Sequence, residues 1–540
     1  MIVETPIVHR QDGAGGMTSD TPSTPGAQGR RRWGALAVVC LAVVVIVMDG
    51  SIVNVALPTL AERMPGVTNS HLQWFVDAYI LAFASILLTV GVAADRFGRR
   101  RMLLAGLAVF GAMSAGAALA ATPGQLIVWR TLMGLGAAMI FPATLAIITD
   151  AFTDARERRL AIAMWAGVSG LGVAIGPVAG GWLLTRFHWG AIFLVNIPLI
   201  IACIAGVLSM VRESRDPAGA ALDPIGNCAA MLGVFCLVWG LIEAPTIGWT
   251  SWRSVGAFGS AAALLGAFVR WERRSARPML DLRYFADPRF SAGCAAITAA
   301  FFGLFGFVFM VTQYFQFVHR YDALAAGLRT TPFAAFILAG AVLAPRIEGR
   351  IGARALIATG LLMMGAGFAW TTRDTAATAY LLMVLQMGLL GVGLGMVNAA
   401  ATEAIMGSLP LARAGTGSSV NDTAREVGGA FGVAVMGSLF NAVYRAAIGA
   451  DLARAPLPAE AREAIRQSIG MAAVVIDRVE AAAGAAAAEA VREPIVAAFL
   501  QGFHAASWVA CAATTLGAAV VWLRLGRVSA KFSDACVATA

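Results

Sequence analysis

Gly91-Val92-Ala93-Ala94-Asp95-Arg96-Phe97-Gly98-Arg99-Arg100-Arg101 joins two long apolar stretches. An apolar helix runs into a tight, strongly basic turn, and a second apolar helix follows at once. Arginine at so short a connection holds it on the cytoplasmic side of a membrane. Asp95 stands just ahead of the basic residues and can pair with them. Gly91 and Gly98 allow close helix approach and a sharp reversal.

Composition points the same way. The chain has 540 residues, 59% hydrophobic and 13% charged, with a mean hydropathy of +0.75. Soluble domains carry about 25% charged residues. A chain this apolar cannot bury its surface in a water-soluble core, so its solvent is lipid. The formal net charge is +9. Most of the basic residues lie in short loops between apolar runs, where they set topology, so nucleic acid is not an expected partner. Cys40, Cys203, Cys228, Cys236, Cys294 and Cys511 fall in apolar runs and show neither disulfide nor zinc-ligand spacing. No nucleotide-binding loop appears. Neither a metal nor another cofactor is expected. Residues 1–29 are polar and rich in Gly, Pro, Ser and Thr. They lack the apolar centre of a secretory signal and are expected to form a disordered cytoplasmic tail.

A helix crosses a bilayer with about 20 apolar residues. Fourteen stretches qualify: 33–55, 72–93, 102–121, 125–149, 160–184, 190–211, 225–244, 253–270, 290–318, 325–345, 354–371, 379–406, 414–440 and 497–523. With the amino terminus inside, the Arg-rich connections fall on the inner side. They are the 96–101 cluster, Arg156 to Arg159, Arg212 with Arg215, the 270–289 linker and Arg346 to Arg354. The alternate connections are poorer in Arg. Losing or gaining one span would scramble this alternation. Residues 441–496 then form a long outer segment, rich in Ala, Glu and Arg and expected to be largely helical.

Ionisable residues inside spans are expensive and mark functional positions. Asp49 lies about sixteen residues above the inner edge of the first span, roughly 24 Å up. Asp77 and Arg130 fall at a similar depth in the second and fourth. A buried Arg needs a carboxylate, and two are at hand. Proton coupling and a static ion pair are both consistent with this set. In the second half, Asp422 and Glu426 are four residues apart and share a helix face, with Arg425 able to reach back to Asp422. That face could line a substrate cavity or hold a local ion pair. Glu403 and Glu243 lie near helix ends, where a charged head reaches the interface. Gly167, Gly170, Gly172, Gly176, Pro177, Gly180 and Gly181 stripe the fifth span. They permit backbone contact and a kink, either as plain packing or as a flexible seam between the halves.

Taken together, these residues resemble the fourteen-span drug:proton antiporter family, the EmrB/QacA-like branch of the major facilitator superfamily. The resemblance rests on Met48 to Pro58 in the first span and on Trp74, Tyr79 and the 91–101 turn. Arg130, Gly134 and Gly136 of the fourth span, Gly172 to Gly181 of the fifth and Gly415 to Gly432 of the thirteenth complete it. Met133 departs from the family, which often has Gln there. So does the Asp422 and Glu426 pair, where neutral amides are common and which suggests a cationic or polar substrate.

The resemblance implies an all-α integral membrane protein of the major facilitator fold, with two six-helix bundles plus two inserted helices. The expected organisation is a 1–32 tail, a 33–215 bundle, a 216–289 inserted pair with linker, a 290–525 bundle and a 526–540 cytoplasmic tail. It implies a proton-driven exporter of apolar or cationic drug-like molecules in the cytoplasmic membrane, with both termini inside. Asp49, Asp77 and Arg130 are the expected proton-coupling residues. Gly91, Asp95, Arg96, Gly98, Arg99, Arg100, Gly172, Gly176, Pro177, Gly180 and Gly181 are the conformational set. Asp422, Arg425 and Glu426 are the cavity candidates. The alternatives are proton-coupled uptake of a metabolite on the same fold and an integral-membrane enzyme. The five scattered histidines disfavour the second. Nothing in the sequence indicates accessory efflux subunits.

Overall fold

In lipid, each backbone N–H and C=O must be satisfied within the protein, and the apolar stretches meet this demand as helices. The computed structural model describes residues 25–537 apart from 66, 68, 216–222, 276, 277, 279, 322, 455, 456 and 468. Among the described residues there is no β-strand. The first half comprises α1 (Pro25–Arg63), α2 (Asn69–Phe97), α3 (Arg99–Ala118), α4 (Pro123–Ala151), α5 (Ala155–Arg186), the short α6 (Ala191–Leu194) and α7 (Asn196–Met210). Then come α8 (Pro224–Ile247) and α9 (Trp252–Glu272). The second half comprises α10 (Pro288–Gln313), α11 (Ala323–Thr371), α12 (Tyr380–Gly407), α13 (Ala414–Arg454), α14 (Ala459–Gln467), α15 (Ile469–Ala483) and α16 (Ala485–Val537).

Thirteen helices are long and apolar enough to cross a membrane among the described residues. One covers 47 residues, Ala325–Thr371, about 70 Å if straight and more than twice the bilayer core. It is not straight. Gly352 leaves helical geometry at φ 79° and ψ 158°, a conformation open to glycine. The α12 backbone then meets both arms of α11 within one turn. A Cβ built on Gly391 would lie 2.8 Å from the Phe333 oxygen, and one on Gly393 would lie 3.1 Å from Met364 Cγ. The helix therefore folds back at Gly352.

The first-half helices pack pairwise as α1 on α5, α2 on α4 and α3 on α4, and the second half as α10 on α13 and α11 on α12 and α16. The α8–α9 hairpin leans on both halves, where Val234 and Val238 pack with Leu81 and Ala84 of α2 and with Val427 of α13. An apolar cavity of about 460 Å³ opens beside it, lined by Leu237, Leu241, Trp249, Phe258, Thr298, Val427 and Phe431.

One expectation changes. The tail was expected to run disordered to residue 32, yet α1 begins at Pro25. Its Arg31 and Arg32 are held by the Met210 carbonyl oxygen at 3.2 Å and by Glu157 at 2.8 Å. Residues 1–24 of that tail lie outside the described residues. The 441–496 segment is helical, continuing α13 through α14 and α15 into α16. It carries its own apolar core, which includes Tyr444, Ile448, Ile465, Val475, Ile476 and Ile495.

Candidate functional site

Five helices of the first half meet around one carboxylate. Asp49 of α1 and Arg130 of α4 are fully buried, at 0% and 1% exposure. Arg130 Nη1 donates to Asp49 Oδ2 at 2.5 Å. Asn196 Nδ2 of α7 donates to Asp49 Oδ1 at 2.8 Å. Arg130 Nε donates to the Phe75 carbonyl oxygen of α2 at 2.9 Å, and its guanidinium lies 4.3 Å from the Tyr79 ring centre. Asn196 also donates to Ser114 Oγ at 3.1 Å, which ties α3 in. Burying one charge alone costs several kcal/mol, whereas a paired and hydrogen-bonded one persists. Asp77 is half-buried on α2, two residues beyond Phe75.

The glycine stripe of α5 presents two faces. One meets α1 beside Asp49. A Cβ on Gly172 would stand 2.8 Å from Val47 Cβ, and one on Gly176 would stand 2.8 Å from the Met48 carbonyl oxygen and collide with Ser51 Oγ. Gly180 meets Ile52 in the same way, and Gly181 is buried. The other face meets α11 of the second half. A Cβ on Gly170 would stand 2.8 Å from Ile337 Cγ2, and one on Gly327 would stand 2.9 Å from Pro177 Cβ. One helix therefore links the buried carboxylate to the seam between the halves.

The basic turn closes one end of that seam. Asp95 is 3% exposed and Arg99 2%, and Arg99 Nη2 donates to Asp95 Oδ1 at 2.8 Å. The carboxylate also crosses to the second half. It accepts from the Gly415 N–H at 2.9 Å and the Thr416 N–H at 3.0 Å. An acid from one bundle thus caps the N-terminus of α13 in the other, where unpaired N–H groups and the helix dipole favour negative charge. Arg99 donates onward to the Leu411 carbonyl oxygen at 2.7 Å. Gly91 makes this possible: its oxygen would lie 2.5 Å from a Cβ on Gly415, so α2 and α13 touch backbone to backbone.

Gly98 has φ +114°, which gives the reversal into α3. Glu213 then caps α3 by accepting from the Arg100 and Arg101 N–H groups at 3.1 and 3.2 Å. Arg100 Nη2 donates to the Leu208 carbonyl oxygen at 2.9 Å. Arg96 is exposed and lies over Phe97. Glu403 was expected to reach the interface; it instead pairs with Arg158 of α5 at 3.1 Å, a second charged link between the halves.

The Asp422, Arg425 and Glu426 face is arranged differently from the expectation. Arg425 does not reach back to Asp422. Its Nη2 donates to Asn398 Oδ1 of α12 at 3.0 Å. Its guanidinium lies 4.6, 5.1 and 5.5 Å from the ring centres of Phe301, Trp165 and Phe141. Asp422, 1% exposed, accepts from Ser418 Oγ at 3.4 Å and Asn421 Nδ2 at 3.2 Å. Glu426 is half-buried one residue beyond Arg425.

The sequence reading missed Asn196, Asn398 and the three aromatic rings. An amide inside an apolar run was a usable signal for the first two; a Phe or Trp in an apolar span carries none. It also missed Asp374, in the turn after α11, which is 4% exposed. Asp374 accepts from Gln386 Nε2 at 2.7 Å, and burial pushes its carboxyl up to about 6.

Comparison with known proteins agrees with this architecture. Residues 39–433 match the Major Facilitator Superfamily. The chain is 34% identical over 507 residues to the multidrug efflux pump LfrA of Mycolicibacterium smegmatis, covering 94% of this chain and 99% of that protein. It is 32% identical over 450 residues to the methyl viologen resistance protein SmvA of Salmonella typhimurium, covering 82% and 89%. It is 31% identical over 428 residues to the tetracenomycin C resistance and export protein of Streptomyces glaucescens, covering 78% and 79%. The fold is similar to that of the human organic anion transporter MFSD10 at a TM-score of 0.62 and 13% identity, over 91% of this chain and 99% of that one. Two helical bundles that meet at a basic turn, and a match that runs through both, show that the chain belongs to the Major Facilitator Superfamily, a family of transporters rather than enzymes.

Proposed function

We propose that the protein exports drug-like molecules in exchange for protons across the cytoplasmic membrane. The buried Asp49–Arg130 pair carries this reading. An exporter driven by inward proton flow needs a carboxylate that is ionised in one state and protonated in another. Asp49 is paired here with one guanidinium and one amide. Movement that parts α1 from α4 would leave it buried without its counter-charge, which is the change a proton-exchange cycle needs. Asp77 is the second candidate for this role.

Arg158–Glu403 and the Asp95 cap of α13 hold the Arg-rich end shut in this state. Drug would enter once they part, and the α5 seam would transmit the change to α1. Relatives named for multidrug efflux and for methyl viologen resistance support small, drug-like and partly cationic substrates. In proteoliposomes, an imposed pH gradient is expected to drive net movement of a lipophilic cation such as tetraphenylphosphonium against proton flow. A panel of neutral and cationic drugs that shows no gradient-driven movement would overturn the reading.

The proposal extends to the fourteen-span EmrB/QacA-like branch. Thirteen apolar helices among the described residues, with the one folded back at Gly352 counted as two passes, support a total of fourteen, and an even number of passes would leave both termini on one side. Arginine density assigns that side to the cytoplasm. The exposed Val474 then lies outside and the exposed Phe285 inside. In a cysteine-free background, Val474→Cys is expected to react with an impermeant thiol reagent in intact cells. Phe285→Cys is expected to react only after permeabilisation. The reverse pattern would break the pass count.

A further inference from the structure

Arg425 is held in an unusual way for a buried guanidinium. It is 4% exposed, and a guanidinium carries five N–H donors in a rigid fork suited to a carboxylate. Asp422 lies three residues back on the same helix face, within reach. Among the described residues no ion pair joins the two, and the guanidinium bonds Asn398 of α12. Its Nε has no partner among the described residues. Three aromatic faces surround the charge.

Those faces come from both halves. Phe141 and Trp165 belong to α4 and α5, and Phe301 belongs to α10. The cage is stiff. Trp165 Nε1 donates to Thr144 Oγ1 at 3.1 Å, and the Phe141 and Trp165 rings meet edge-on at 5.6 Å. Asn398, which holds Arg425, itself donates across the seam to the Ala166 carbonyl oxygen at 3.4 Å. Asp422, by contrast, is buried with only neutral donors on its oxygens.

We propose that the Phe141, Trp165 and Phe301 cage is a binding subsite for organic cations, and that Arg425 occupies it as a resident cation that substrate displaces. The proposal rests on the exporter reading and names the substrate class for it. Aromatic faces that tolerate a guanidinium equally accept a quaternary ammonium head, which needs no hydrogen bonds. The displaced guanidinium gains the carboxylate of Asp422, so expulsion of the resident charge is offset within one helix. While Arg425 stays in the cage it bridges α13 to α4 and α5. Its departure removes a link across the seam only when a cation has arrived to replace it.

The test measures binding of benzyltrimethylammonium and of its neutral isostere neopentylbenzene to detergent-purified protein by competition. Arg425→Gln is expected to bind the ammonium roughly tenfold more tightly than wild type, because the competing charge is gone, and to leave the isostere unchanged. Trp165→Leu is expected to weaken the ammonium roughly tenfold, and the double variant is expected to lose the gain. Should Arg425→Gln fail to fold, Asn398→Leu, which releases the guanidinium and gives up the longer bond to the Ala166 carbonyl oxygen, is expected to tighten the ammonium about threefold. A folded Arg425→Gln or Asn398→Leu protein that binds the ammonium no better than wild type would overturn the proposal. So would an equal gain for the isostere, which would signal freed volume rather than freed charge. Gradient-driven transport of neutral drugs by wild type, with no cation binding to any variant, would overturn the cage and leave the exporter standing. Cation binding without any transport would do the reverse.

Discussion

Asp49→Asn is expected to abolish export driven by a pH gradient, down to the level of empty liposomes, while drug binding stays within about threefold of wild type. The asparagine keeps one acceptor oxygen, enough for Arg130 or for Asn196 but not for both, and it cannot take up or release a proton. Substrate-induced proton release should vanish with it. A purely structural role predicts something else. Removing one partner of a buried ion pair leaves an uncompensated charge that costs about 3–5 kcal/mol. The variant would then be recovered in low yield, and its folded fraction would still pump at the normal rate. Measuring transport per folded molecule in proteoliposomes separates the two. Normal gradient-driven pumping by folded Asp49→Asn protein would assign Asp49 to structure and move coupling to Asp77 or to the Asp422 and Glu426 face.

Gly176→Leu is expected to eliminate efflux for a different reason. Position 176 rests on the α1 backbone, 2.8 Å from the Met48 carbonyl oxygen by the path a Cβ would take. The residue after Met48 is Asp49. Four extra carbons have no space there and would lift α1 off α5, at a cost of about 1–3 kcal/mol or more. The Asp49–Arg130 geometry would move with it. Gly176→Ala, with a single methyl, is expected to retain part of the efflux, which ties the loss to bulk. A drug-susceptibility assay in an efflux-deficient host, scaled to protein in the membrane, reads both. Full resistance with Leu at full expression would show that this contact is not required for transport.

Much of this was legible in the sequence because the signals are local. Stretches of about 20 apolar residues mark spans by length, and Arg marks one end of them. Gly98 announces a reversal because few other residues adopt its φ. A charged residue in an apolar run stands out at single-residue resolution, so Asp49, Arg130 and Asp95 could be singled out without any contact being known. The break in α11 was legible too, since Gly352 lies between Arg350 and Arg354 in a polar interruption of two apolar runs.

What lies across a helix was not legible, because contact between spans depends on rotation and tilt, which packing decides. Asp95 could be paired with Arg99 from their spacing alone. Nothing local told that its carboxylate would cap α13, some 320 residues away. Likewise, spacing put Arg425 within reach of Asp422, and the expectation of a local pair followed. The folded protein offered three aromatic rings and an amide instead, two of those rings from the opposite bundle. By itself, then, the sequence determined the apolar helices, the lipid environment and the buried charges, all properties of single segments. Only the tertiary structure decided which charge meets which partner, because each such pairing joins segments that come together in space alone.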